Sequence, residues 1–340
     1  MDRSGDWSQG SALSRHPVDD EDRYGRSGRG SRPRSRLRPQ HADAVGARVI
    51  TVDRGRYGVL LDDDTPVITM RARELGRRAI AVGDSVAVVG DVGGGPDALA
   101  RIVRVDPRRS VLRRTADDTD PIERIIVANA DLMVVVCATA DPPAQPRLID
   151  RCLVAAFDAE IQPMLCLTKS DLASGQDLID IYAPIGVPVI VSGRPGFEEA
   201  VADLRSRITD HVTVFVGSSG VGKSTLVNAL VPDAYQRIGA VSETTGKGQH
   251  TTTAAIALPL PDGGWVVDTP GVRSFGLAHV DRARLVACFP DLAPGTAECP
   301  GDCDHLDPTV CALDDWVATG HAAPERLESL RRLLVARDAT

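Results

Sequence analysis

Apolar and polar positions alternate in short runs between residues 45 and 105: "ARVITV", "YGVLL", "PVITMRA", "DSVAVVG" and "LARIVRV". The turn signals "DRG", "DDDTP" and "GDVGGGPD" divide them. Alternation with a period of two suits half-buried strands, so about five strands of a small OB-type barrel are predicted here. The open face of such a barrel often binds oligonucleotides. Against that stands the reading of a structural spacer, since Tyr57 is the one aromatic side chain in the stretch that could stack on bases.

From about residue 120 the pattern changes. "DLMVVVCAT", "QPMLCL", "VPVIVSG", "VTVFVG" and "GGWVVDTPG" are apolar runs of strand length, and amphipathic stretches such as "PRLIDRCLVAAFDAE" and "KSTLVNAL" lie between them. Buried strands alternating with helices predict a doubly wound α/β domain with a mostly parallel sheet, whose ligands sit at the carboxyl ends of the strands. Past residue 275, "VDRARLVACFPDL", "ALDDWVATG" and "APERLESLRRLLVAR" have helical spacing, with a cysteine-rich loop between the first two. The expected organisation is an arm over 1–43, an RNA-binding barrel over 44–107, the α/β domain over 108–275 and a small helical, metal-held domain over 276–340.

Chemistry-bearing motifs fall just beyond the strand ends. "GSSGVGKST", the run Gly217, Ser218, Ser219, Gly220, Val221, Gly222, Lys223, Ser224 and Thr225, fits G-x-x-x-x-G-K-[ST] between a strand and a helix. Its backbone amides would cradle a β-phosphate, Lys223 would bridge β- and γ-phosphates, and the Ser224 hydroxyl would hold Mg²⁺. In "DTPG", Asp268 would hold Mg²⁺ through water and the amide of Gly271 would meet the γ-phosphate, so the loop beyond can sense that phosphate. "GKGQHTTT" offers Thr251, Thr252 and Thr253 to complete the Mg²⁺ shell, and Thr252 is preferred.

"TKSD", residues Thr168, Lys169, Ser170 and Asp171, gains meaning from this company. Asp171 could accept both the ring N–H and the exocyclic amine of guanine, a pairing adenine does not offer. Lys169 would lie along the base, and Ser192 and Gly193 of "VSG" would supply the amide for the guanine oxygen. GTP and GDP are therefore the expected ligands, and an ATP-using kinase would require "TKSD" to be accidental.

The parts run base, base, phosphate, switch, switch, a cyclic shift of the usual order. Such a shift is permissible because domain termini often lie close together. With "VGDSVAV", "ANADLMVVV", "LIDRCLVAA", "GSSGVGKSTLVNAL", "GQHTTT" and "DTPGVRSFGL", residues 45–335 closely resemble the circularly permuted ribosome-biogenesis GTPases of the RsgA (YjeQ/EngC) type. The resemblance implies an OB-type barrel, a circularly permuted P-loop GTPase domain and a C-terminal helical zinc-binding domain. It also implies GTP hydrolysis stimulated by the small ribosomal subunit, during late maturation of that subunit, with its rRNA as partner. The second function class left open is a GTP-gated RNA-binding checkpoint factor whose hydrolysis is incidental.

Cys299, Cys303, His305 and Cys311 fall within "CPGDCDHLDPTVC". Three thiolates and an imidazole suit a closed tetrahedral structural zinc site, and the resemblance includes these ligands. The spacer "PGD" is one residue shorter than the family's usual one. Cys137, Cys152, Cys166 and Cys288 are expected to be reduced and unpaired. Many GTPases orient the attacking water with a glutamine just after the DxxG motif; here that position is Val272. His250, beside the switch threonines, is the expected substitute, which makes His250, Thr252 and Lys223 the expected catalytic set. The plainer reading of His250 is that it only caps or packs its loop.

Composition adds a compartment and an asymmetry. The longest apolar stretch, around Leu132 to Ala140, is far too short to span a bilayer, and the opening residues lack an apolar signal core, so a cytoplasmic monomer without membrane contact is expected. The net charge of −8 argues against a nucleic-acid partner, yet Arg23 to Arg38 carries seven arginines and no acid. That segment reads as a disordered basic arm. A second cluster at 101–114, with six arginines and one acid, reads as either a solvated surface or a phosphate contact with RNA. Only three lysines stand against 36 arginines, and two of them, Lys169 and Lys223, fall inside nucleotide motifs. A compact ammonium does something there that a planar guanidinium does not.

Overall fold

The computed structural model describes residues 41–76, 79–93, 100–115, 123–232, 255–269 and 276–338. All of them belong to one compact unit, His41–Thr340. The arm up to residue 40 lies outside the described residues, as do Lys247, His250, Thr251, Thr252, Thr253, Gly271 and Val272.

Five strands form the predicted barrel: β1 (Val45–Asp53), β2 (Arg56–Leu61), β3 (Pro66–Arg71), β4 (Ser85–Gly90) and β5 (Ala100–Val105). They bond in the order β1-β2-β3-β5-β4, and a β1–β4 pairing closes the ring. Alternate residues point inward, so Tyr57, Val59 and Leu61 of β2 meet Val67, Val86, Val88 and Ile102. Tyr57 is only 7% exposed. The one aromatic of the barrel is thus a core residue and offers no stacking platform.

A bulge in β1 connects this barrel to the rest of the chain. The register shifts between Val49 and Thr51, and an extra residue on one strand re-aims the side chains around it. Val49 packs inside the barrel, whereas Ile50 packs into the neighbouring α/β core. Thr51 then pairs with Ile256 of β12 (Ile256–Pro259), so barrel and α/β sheet are one continuous 11-stranded sheet.

The α/β part contains β8 (Leu132–Ala138), β9 (Gln162–Thr168), β10 (Val189–Val191), β11 (Val212–Val216) and β13 (Trp265–Asp268). Its order is β10-β9-β8-β11-β13-β12, parallel except for β12. Every residue of β8 is buried, which explains its unbroken apolar run in place of alternation. Helices α1 (Pro146–Asp158), α2 (Gln176–Tyr182) and α3 (Phe197–Ile208) make the crossovers, and α4 (Lys223–Leu230) follows β11. The chain steps outward from β8 to β9 to β10 and then returns through α3 to β11, on the other side of β8. That reversal opens a crevice at the carboxyl ends of β8 and β11, where ligands of doubly wound folds bind.

Two features were not visible in the pattern. One is the antiparallel ribbon of β6 (Val111–Arg114) and β7 (Arg124–Ala128); the other is β12. The arginine cluster at 101–114 is also mostly turned onto the chain's own carboxylates, in the pairs Arg104–Asp106, Arg108–Asp84, Arg109–Asp131 and Arg113–Glu123. Arg108 makes a two-pronged contact with the fully buried Asp84, at 2.7 and 2.8 Å. Arg108 is thus locked into the structure, whereas Arg104, Arg109 and Arg113 stay exposed beside their partners.

Helices α5 (Arg282–Ala287), α6 (Leu313–Ala318) and α7 (Pro324–Asp338) make up the C-terminal part. Arg326 of α7 is 1% exposed and bonds Asp150 of α1 at 2.8 Å and Asp291 at 3.1 Å. Among the described residues, no helix is long and apolar enough to cross a membrane.

Candidate functional site

The phosphate-loop motif occupies the turn between β11 and α4. At Gly217 a Cβ would lie 2.5 Å from the Val136 carbonyl oxygen of β8, so only glycine lets the two strand ends approach this closely. Gly222 stands at φ +90° as the residue before α4, a conformation side chains disfavour. The first amides of α4 have no partner within the helix, and together with the helix dipole they favour an anion. Ser224 and Thr225 are exposed at this end, whereas Lys223 is buried. Its Nζ donates to Oδ1 of Asp268, which β13 brings alongside. The Lys223 ammonium and the Asp268 carboxylate thus meet beside the loop, and the donor set fits a Mg²⁺-bound triphosphate. Thr269 donates to the Phe215 carbonyl at 2.7 Å and holds the start of the DTPG motif against β11.

The "TKSD" residues lie at the end of β9, in contact with the same loop. Thr168 donates its hydroxyl to the carbonyl of Val221 at 2.5 Å, tying the two motifs together; this hydroxyl is used inside the chain. Ser170 N donates to Ser192 O at 3.1 Å, and Ser192 N to Leu167 O at 2.7 Å. A Cβ on Gly193 would lie 2.6 Å from Ser170 Oγ and 3.2 Å from Asp171 Oδ1. The "VSG" segment is therefore pressed directly against "TKSD". Asp171 is exposed, and its Oδ1 accepts the Arg194 amide at 3.1 Å.

The ligand atoms of Cys299, Cys303, His305 and Cys311 lie within 4.8 Å of one another. Cys299 Sγ and Cys311 Sγ stand 3.6 and 3.7 Å from His305 Nδ1. Those separations match the edges of a tetrahedron with zinc–ligand bonds of about 2.1–2.3 Å, so the donor set fits the metal despite the shortened spacer. Burial, with the Arg282 charge, lowers the His305 pKa and favours the neutral, ligating imidazole. Burial pushes the Cys311 thiol up to about 11, so a bound cation is needed to hold it as thiolate. Arg331 of α7 donates to His305 O at 3.0 Å and pairs with Asp314 of α6, fastening the loop to both helices. The other four cysteines are free and buried.

Residues 105–278 match the RsgA GTPase family. The small ribosomal subunit biogenesis GTPase RsgA of Pseudomonas aeruginosa (strain LESB58) is 42% identical over 254 residues, 72% of this chain and 74% of that protein. The like-named protein of Azotobacter vinelandii (strain DJ) is 42% identical over 267 residues, 76% of this chain and 75% of that one. The chain belongs to the RsgA GTPase family.

Two solved structures share the fold at 24% identity. YjeQ from Thermotoga maritima aligns with a TM-score of 0.67 over 87% of this chain and 99% of its own. YloQ, described as a circularly permuted GTPase, aligns at 0.65 over 90% and 98%. Membership in the RsgA family makes the chain a GTP hydrolase, and its fold is the circularly permuted GTPase fold with a five-stranded barrel and a Cys₃His cluster. One part of the site escapes motif reading. The loop after β8 places Thr139 and Asp141 against Lys169, and Pro142 beside Gly220. Its trace in the sequence is the "DPP" turn signal immediately after the buried strand.

Proposed function

We propose that this protein binds GTP at the β8–β11 crevice and hydrolyses it while engaged with the small ribosomal subunit, as a timer of that subunit's late maturation. The observation that carries the reading is the convergence of "TKSD", "VSG", the phosphate loop and Asp268 on one crevice, in a chain 42% identical to proteins named for that role. Asp171 selects guanine, the Gly193 amide meets its oxygen while the Ser192 amide stays bonded to the Leu167 carbonyl, and Gly217 to Thr225 hold the phosphates. Ser224, Thr252 and, through water, Asp268 hold Mg²⁺, which neutralises charge on the β- and γ-phosphate oxygens. His250 orients the attacking water once rRNA orders its loop. Cys299, Cys303, His305 and Cys311 hold one structural zinc that pins their loop to the C-terminal helices. The arm over 1–43 and the barrel over 44–107 provide the rRNA-facing surfaces, flanking a GTPase domain over 108–275 and a zinc domain over 276–340. The protein works as a cytoplasmic monomer.

GTP turnover measured with and without purified small subunits tests this. Stimulation by small and not large subunits is expected, and a non-hydrolysable analogue should trap the protein on the particle. Release that proceeds equally well without hydrolysis would instead mark hydrolysis as incidental. His250→Ala should lose the subunit-stimulated rate in a single-turnover assay.

A further inference from the structure

Lys169 has φ +57°, the left-handed region, which a residue with a side chain occupies only where its surroundings hold it there. The loop after β8 does much of that holding. Thr139 N donates to Thr168 O at 2.9 Å, the Thr139 hydroxyl donates to Lys169 O at 2.7 Å, and Lys169 Nζ donates back to the carbonyl of Asp141. The Lys169 carbonyl also accepts from Leu172 N at 2.9 Å. One oxygen therefore receives two donors, and their directions set the peptide plane that leads through Ser170 into Asp171. Thr139 itself is confined, since a Cβ on Gly175 would lie 3.1 Å from its Cγ2.

We infer that Thr139 is a positioning residue for guanine selection, its hydroxyl fixing the Lys169 peptide so that Asp171 faces the base edge. This rests on the assignment of Lys169 and Asp171 to the base. Without the hydroxyl donor, the Lys169 peptide can rotate toward commoner backbone angles and the Asp171 carboxylate leaves its bidentate geometry. Inosine, which lacks the exocyclic amine, depends less on that geometry. Guanine binding should therefore suffer more than inosine binding, while the phosphate end stays intact.

The test uses the full chain with Thr139→Val, which keeps the shape and removes the donor, and Thr139→Ser, which keeps the donor. Fluorescent GDP and IDP affinities, single-turnover hydrolysis at saturating GTP and melting temperatures are measured for each. The valine variant should bind GDP up to about tenfold more weakly, the effect of losing one half-buried hydrogen bond. Its preference for GDP over IDP should shrink while saturating turnover holds, and serine should restore the parent values. An unchanged GDP-to-IDP ratio in the valine variant, or equal losses for both nucleotides with a lowered melting temperature, overturns the inference. Thr139→Ala carries the same expectation should the valine variant not fold. Asp171→Asn separates the two levels of failure. If it does not shift preference toward xanthine nucleotides, the base assignment falls and this inference with it; if it does, while Thr139→Val binds like the parent, this inference alone falls.

Discussion

Lysine is so rare in this chain that each one has to be explained, and the structure explains two. Lys223 is buried with its ammonium on Asp268, and Lys169 directs its ammonium to the Asp141 carbonyl. Both sites take a compact point charge, and a forked guanidinium would collide with the neighbouring backbone or waste donors. Lys223→Arg should therefore fail almost as completely as Lys223→Ala. GTP hydrolysis is expected to fall by about 10²-fold or more in each, as when a preorganised electrostatic donor is removed, and Lys223→Ala should also lower the melting temperature by taking the lysine partner from the buried Asp268 carboxylate; single-turnover assays and thermal denaturation check the two halves. At this scale the phosphate loop was legible as a contiguous motif, although Gly222 answers to local backbone geometry and Gly217 to the Val136 carbonyl of β8. Thr139 was not legible, since its significance comes from a carbonyl 30 positions away.

At the scale of elements, apolar run length and alternation located the five barrel strands and the parallel strands β8 to β11 and β13. They missed β6, β7 and β12 for a physical reason. "VLRR" is half charged and "IALP" is four residues ending in proline, so partners across the sheet, and not their own pattern, make them strands. The same limit hid the joint between α1 and α7. Arg326 lies over the Phe289 ring at 4.4 Å and reaches both Asp150 and Asp291, while Tyr182 of α2 donates to Asp150 at 3.2 Å. Burial pushes the Asp150 carboxyl up, and hydrogen bonds from Ser329, Tyr182 and Arg326, with the Arg326 charge, work against that. Arg326→Met strands two buried carboxylates and should cost about 3–5 kcal/mol of stability in urea denaturation. Adding Asp150→Asn and Asp291→Asn should recover part of the loss, because neutral amides are cheaper to leave half-paired. No recovery in the triple variant would mean that Arg326 acts mainly through packing on Phe289.

For the whole molecule, the permuted order places the DTPG motif after the phosphate loop, and the chain then runs into the C-terminal helices that flank the Cys₃His cluster. The Cys₃His cluster is accordingly fastened to helices α6 and α7, through Arg331 to His305 and Asp314. Purified protein should carry about one zinc per chain by atomic emission. Cys303→Ser should lose that metal, and helices α6 and α7 should lose hydrogen-exchange protection before the β8–β11 sheet does, since binding energy at such a site is folding energy. Full zinc content in the serine variant would remove Cys303 from the ligand set. Sequence alone determined the family, the fold class and the candidate nucleotide and metal-binding motifs, because each is written in residue type and short spacing. Tertiary structure alone decided which arginines are locked into internal pairs, that Tyr57 is core, that barrel and α/β sheet are continuous through the β1 bulge, and that Thr139 supports Lys169. Apart from Arg104–Asp106, each of those depends on a partner ten or more residues distant, and only the packed chain brings the two together.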